Sequence, residues 1–140
     1  MRLHYVAGGF GEFRLAENPG SFLGFGDSLP KLLRLAIFTI GVGMGLFSLL
    51  AYLVFGGRFS RLIFAGLGLV WAGGMSNMID RITRHGRVSD FIFIRIGRFH
   101  TGVFNVADAV IMIGGAVIVC DLWLRRHQHA RKQSMEDQPE

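Results

Sequence analysis

Three apolar runs decide what this chain can fold into. Leu35 to Phe55 carries no charge, Leu62 to Ile79 is interrupted only by Ser76 and Asn77, and Val103 to Leu124 is a third run of 22 residues. Each approaches the ~20 apolar residues needed to cross a bilayer. Inside lipid every backbone polar group must be satisfied within the protein, so runs of this kind cross as helices. The expected fold class is an all-α membrane protein with three transmembrane helices over about 35–55, 62–79 and 103–124. Charged residues make up only 18% of the chain, below the roughly 25% of an average soluble domain.

The formal charge of +5 comes from 15 basic residues lying almost wholly outside the apolar runs. Beside spanning segments, such a balance points to anionic lipid headgroups rather than nucleic acid. The single cysteine, Cys120, excludes an intrachain disulfide and any Cys-based metal spacing. His4, His85, His100, His127 and His129 have no HExxH-like spacing, so no metal site is expected. The stretch MRLHYVAGGFGEF has no apolar segment long enough for a signal peptide or a spanning helix.

The segments between the runs differ in kind. GGRFSR, after Phe55, reads as a tight hairpin whose arginines reach headgroups. In the connection 81–102, Phe91, Phe93 and Arg95 alternate with Ile92, Ile94 and Ile96, the period of a strand or interfacial ribbon. The first 30 residues have Gly and Pro punctuation without helical periodicity, and a hairpin of short strands lying on the membrane suits them as well. The polar tail RRHQHARKQSMEDQPE is expected to be disordered. Gly41 and Gly45 form a small-xxx-small pair, and Gly66, Gly68, Gly73, Gly74, Gly114 and Gly115 add surface for close helix packing.

Three spans put the N-terminal region and the 81–102 connection on one side, with GGRFSR and the tail on the other. The hairpin and tail hold six basic residues (Arg58, Arg61, Arg125, Arg126, Arg131, Lys132). The opposite side holds nine (Arg2, Arg14, Lys31, Arg34, Arg81, Arg84, Arg87, Arg95, Arg98). By the positive-inside count the tail would face outward. The expected orientation runs against that count.

An ionisable group at membrane depth is costly and therefore a candidate functional group. Asp108 lies one turn into the third run, and Asp80 with Arg81 closes the second. Those two helix ends emerge on one face. The connection between them starts and finishes there, so it can bring Asp90 over the same spot, with Asn77 and Asn105 pointing into the same crevice. Two carboxylates sharing a site cannot both ionise easily, so one holds a proton. The ionised partner can take a proton from water while the protonated one polarises a peptide carbonyl. Each residue also has a plainer reading: Asp80 with Arg81 as an interfacial cap and ion pair, Asp90 as a solvated turn acid, and Asp121 as an interfacial group beside Trp123 and Arg125. In a purely structural membrane protein, Asp108 would pair with an arginine.

Four blocks in order, ENPGSFLGFG, GGMSNMIDR, VSDFI and FNVADAVI, resemble the signature blocks of lipoprotein signal peptidase, or signal peptidase II. The resemblance covers roughly residues 10 to 125. It implies a bacterial inner-membrane aspartyl endopeptidase that removes the signal peptide of prolipoproteins before a diacylglyceryl-modified cysteine. It also implies a multi-pass protein with a small extracytoplasmic β-like cradle and lid, and an active site at that face. In that family the catalytic aspartates occupy the blocks matched here by Asp90 and Asp108. Asn18, Asn77, Arg81 and Asn105 match residues expected to position the substrate backbone, and Gly20 and Asp80 match structural positions. Ser76 stands where the family usually has glycine. Family members carry a further spanning helix with an Asp-x-x-x-Lys motif before the Asn-Pro-Gly block, and this sequence starts beyond it.

Residues 1–126 would then form one membrane protease domain, with 1–34 supplying a cradle segment and helix entry, and 127–140 a polar cytoplasmic tail. The implied partners are diacylglyceryl-prolipoprotein and membrane lipids, with a monomer favoured and no cofactor. A shortened relative that binds lipoprotein or lipid without cleaving it is the alternative.

Overall fold

A computed structural model of the chain describes the backbone of residues 2–6, then 11–19, 26, 28–96 and 98–136, with side chains described from 11 to 128 within those segments. Gly20 lies outside the described residues. Among the described residues, three helices are long and apolar enough to cross a membrane, over Lys31–Phe55, Arg61–Thr83 and Val106–Gln128. The first comprises α1 (Lys31–Leu35), a π-helical segment (Ala36–Gly41) and α2 (Val42–Phe55). The second is α3 (Arg61–Thr83), and the third belongs to α4 (Val106–Glu136).

Helices α3 and α4 pack most closely, and glycine is the reason. A Cβ on Gly66 would stand 2.8 Å from the Gly114 carbonyl oxygen, and one on Gly73 would stand 2.6 Å from that of Ala107. Without those side chains the two backbones meet directly, as small residues permit in spanning helices. Gly74 receives the Leu46 side chain from α2 in the same way. The pair Gly41 and Gly45 behaves otherwise. No atom lies within 4 Å of a Cβ built on Gly45, and Gly41 meets only its own helix at Ala36. The expected packing through that pair is absent among the described residues.

On the side where α3 ends and α4 begins, four strands form an antiparallel sheet in the order β1-β2-β3-β4: Arg2–Val6, Gly11–Asn18, Val88–Ile96 and Phe99–His100. The alternating pattern of 91–96 is thus a strand, and the N-terminal hairpin pairs with it. Ala16 lies opposite Asp90 and Asn18 opposite Val88, with a bulge between Phe13 and Ala16. A turn lets β3 start so soon after α3. His85 (φ 54°) and Gly86 (φ 89°) are left-handed, and the Gly86 N–H bonds back to the Arg81 carbonyl at 2.7 Å, closing the helix end.

Two boundaries differ from the sequence expectation. Helix α4 starts at Val106 rather than 103, because Phe104 bridges to Ile92 of β3 and Asn105 caps the helix. The tail expected to be disordered continues α4 as far as Glu136, consistent with its Arg, Gln, Ala and Lys, all good helix formers.

Candidate active site

The bridge at Phe104 sets the geometry of everything near it. The N–H groups of Phe91 and Ile92 both donate to the Phe104 carbonyl, and the Phe104 N–H donates to that of Ile92. Strand β3 is thereby fixed to the chain entering α4, with Asp90 two residues before one anchor and Asp108 four residues after the other.

Asn105 ends that entry segment and caps α4. Its side-chain oxygen accepts the Asp108 N–H at 3.0 Å, while Asp108 Oδ2 accepts the Asn105 N–H at 3.3 Å. This reciprocal capping box satisfies two backbone donors that the helix itself cannot. Its amide nitrogen Nδ2 donates in turn to Asp90 Oδ1 at 2.8 Å and to Asn77 Oδ1 at 3.1 Å. Asn77 Nδ2 donates to Asp108 Oδ1 at 2.8 Å, and Asn18 Nδ2 to Asp90 Oδ2 at 2.9 Å. Both acids are therefore held by amides drawn from β2, α3 and the start of α4. Asn105 stands at the cap of α4 rather than inside the helix, and that position lets it reach both acids.

All four groups at the centre are buried: Asp90 is 2% exposed, Asn105 5%, Arg81 6% and Asp108 7%. The reading of Asp90 as a solvated turn acid does not hold. Burial pushes its carboxyl above the usual range. The hydrogen bonds from Asn18 and Asn105 pull the other way, the nearby Asp108 charge adds to the rise, and Arg81 opposes it.

Asn18, Asn77, Arg81, Asp90 and Asp108 line one cavity of about 340 Å³. Its remaining wall is Val42, Gly74, Val88, Ile111 and Met112, mostly apolar side chains from the spanning helices. The sequence reading missed these, since an apolar residue in a spanning run carries no mark of which face it presents. Phe38, in the π-helical segment, lies with its ring 5.9 Å from the Arg81 guanidinium. Asp80, the other structural candidate, sits outside that cavity. Its Oδ2 accepts the Ser89 N–H at 3.0 Å and its Oδ1 lies 3.5 Å from Arg84 Nε, so it ties the end of α3 to β3. The ion pair seen for it is with Arg84, one helical turn on, rather than with Arg81 next to it.

Against known proteins, the family model described as Signal peptidase (SPase) II matches residues 1–124. The chain belongs to that family. It is 39% identical over 121 residues to the lipoprotein signal peptidase of Syntrophus aciditrophicus (strain SB), covering 84% of this chain and 72% of that relative. The lipoprotein signal peptidase of Solibacter usitatus (strain Ellin6076) is 30% identical over 130 residues, covering 93% and 79%. A solved structure titled as a bacterial membrane enzyme at 2.3 Å superposes on the whole chain with a TM-score of 0.73 at 23% identity, covering 76% of that structure, and supports the fold. Signal peptidase II is thus a peptidase assignment reached independently of the cluster's geometry.

Proposed function

We propose that the chain is an aspartic endopeptidase that cleaves the signal peptide from diacylglyceryl-modified prolipoproteins, with Asp90 and Asp108 as its catalytic pair. One observation carries this reading: in a member of the signal peptidase II family, two buried acids are tied through Asn105 on the wall of one cavity, at the edge of the spanning helices. A scissile peptide bond needs a base for the attacking water and an acid for its carbonyl oxygen. Two carboxylates sharing one proton supply both without a cofactor.

We assign that proton to Asp90, whose neutral form is favoured by burial and by the Asp108 charge. Asp108 then accepts the proton of the attacking water, and Asp90 donates toward the carbonyl oxygen. As the tetrahedral intermediate collapses, the proton taken by Asp108 passes to the leaving amine. Asn18, Asn77 and Asn105 hold the carboxylates in one geometry, and Asn18 and Asn77, which line the cavity, offer their remaining hydrogen-bonding capacity to the substrate backbone, with Arg81 on the same wall. The apolar wall of Val42, Ile111 and Met112 suits a substrate that arrives laterally from the bilayer. Residues 1–126 would act as one unit in the bacterial cytoplasmic membrane, with the pair at its outer face and 127–140 inside.

Prolipoprotein processing, followed as a gel shift, tests the assignment. Wild type is expected to process the substrate. Asp90→Asn and Asp108→Asn should each lose about 10²- to 10⁴-fold in rate, the usual contribution of a positioned acid or base. Normal processing by either variant removes the pair as the catalytic centre. A folded wild type that binds prolipoprotein but leaves it uncut would favour the binding-only relative.

A further inference from the structure

The link between the first two spans turns in open space. Residues 56–60 join the end of α2 at Phe55 to the start of α3 at Arg61. Gly57 is left-handed there (φ 98°), and a Cβ built on it would meet nothing within 4 Å. Leu53, Gly57, Arg58, Phe59, Arg61 and Phe64 line the cavity beside it, of about 540 Å³. That size lies within the about 300–1,000 Å³ range of small-ligand sites. Ring packing fixes its walls. Phe59 stands edge-on to Tyr52 at 4.9 Å and 6.5 Å from Phe64, which ties the link to both helices.

Two cations share this cavity without an acid. Arg58 and Arg61 are exposed, and among the described residues neither takes part in an ion pair. Asp121, the acid that meets the link at Ser60, is already held by Arg125 at 2.6 Å. No acid among the described residues lines the cavity, so both positive charges are open to a ligand. Leu53 and Phe64 belong to the spans, and Phe64 is 52% exposed. The cavity is thus cationic at the link and apolar toward the bilayer interior, at the height where one span ends and the next begins. A guanidinium presents a fork of donors that suits phosphate oxygens. A phosphate joined to acyl chains uses both parts of the cavity, whereas a soluble anion uses one. A zwitterionic headgroup would bring an ammonium that finds no carboxylate on these walls.

We propose that this pocket holds the phosphodiester headgroup of an anionic phospholipid, taken from the leaflet at the Ser60 end of the helices, opposite Asp90 and Asp108. Arg58 and Arg61 grip the phosphate, and the acyl chains lie along Leu53 and Phe64. The lipid bridges the end of α2 and the start of α3 at the point where Ser60 also joins α4 through Asp121.

The test uses the whole chain in nanodiscs of phosphatidylcholine with increasing phosphatidylglycerol, reading thermal unfolding and, by native mass spectrometry, retained lipid. It needs no substrate, so its outcome is independent of the cleavage reading. Wild type is expected to show a saturable rise in Tm and to retain one phosphatidylglycerol. Each Lys or Arg near an anionic surface strengthens binding by about fivefold. Arg58→Gln/Arg61→Gln should therefore raise the half-saturating lipid fraction by about twenty-five-fold. Arg58→Gln alone should raise it by about fivefold, which suffices should the double variant not fold. Arg126→Gln removes an exposed charge at the same end but outside the pocket, and should retain the lipid as wild type does. A wild type that does not prefer phosphatidylglycerol to phosphatidylcholine overturns the proposal. An equal loss in Arg126→Gln also overturns it, since that would mean diffuse attraction to the surface. So does the same saturable shift from inorganic phosphate, which would mean a free-anion site, or from a polyglutamate peptide, which would mean an acidic segment.

Discussion

Asn105 carries three loads at once. It caps α4, it holds Asp108 through the capping box, and its Nδ2 bonds Asp90 and Asn77. Two substitutions separate the cap from the bridge. Asn105→Ala removes both and should cost about 1 kcal/mol of stability from the cap alone, with cleavage lost as well. Asn105→Ser keeps a good N-cap oxygen but cannot donate to Asp90, so it should retain most of the wild-type Tm and still lose cleavage. Equal cleavage by Asn105→Ser and wild type would confine Asn105 to capping. Asp90 makes a second residue-scale prediction through pH. Its folded pKa is raised by burial, so its contribution to stability is fully present below the unfolded value of about 4. It is lost as pH rises through the folded value. Asp90→Asn does not titrate there. Its Tm relative to wild type should therefore climb as pH rises above about 4, then level off above the folded pKa. A difference that stays flat with pH would contradict the raised pKa.

At the scale of elements, the contact between α3 and α4 holds Asn77 of one helix beside Asp108 of the other, and glycine sets its spacing. Gly73→Ala places a methyl group 2.6 Å from the Ala107 carbonyl oxygen. The helices must separate near the site, at a cost of about 1–3 kcal/mol, as for overpacking elsewhere, and cleavage should fall with Tm. Gly68→Ala, with nothing within 4 Å of the added Cβ, should leave both unchanged. Matching Tm values for the two variants in detergent would mean that the close contact does not hold the pair together. The sequence showed the small residues but not their partners. Gly66 and Gly73 meet α4, whereas the Gly41 and Gly45 pair, equal to them on paper, meets no other helix among the described residues. Spacing reports that a face is smooth and says nothing about what lies opposite. The same limit explains why the spanning runs and β3 were legible while the start of α4 was misplaced. An apolar run extends across Phe104 and Asn105, and only the long-range contact with Ile92 makes those residues a bridge and a cap.

Across the whole molecule, polar groups join α3 to α4 at both ends, and the two junctions differ in kind. At one end stand the acids and amides of the candidate site. At the other, Ser60 caps α3 by accepting the Ile63 N–H at 3.1 Å and donates its hydroxyl to Asp121 Oδ2 at 3.0 Å. Arg125 Nε reaches the same oxygen at 2.6 Å. Asp121, expected as an interfacial group beside Arg125, makes that ion pair near the end of the span and is buried where the α2–α3 loop meets α4. From sequence alone nothing joined it to Ser60, 61 residues away. The acceptor oxygen used here is taken by the protein's own groups, and among the described residues the cavity lined by the acid pair does not include this end. The far junction is therefore a clamp, and its loss should be felt in stability but not in chemistry. Ser60→Ala removes the cap of α3, worth about 1 kcal/mol, together with one donor to Asp121. Asp121→Ala releases both Ser60 and Arg125. Each should lower Tm while prolipoprotein processing at a permissive temperature proceeds at the wild-type rate, and the double variant should lose less than the sum of the two because they share one contact. A fall in processing rate without a fall in Tm would instead show that the clamp communicates with the acid pair along α4.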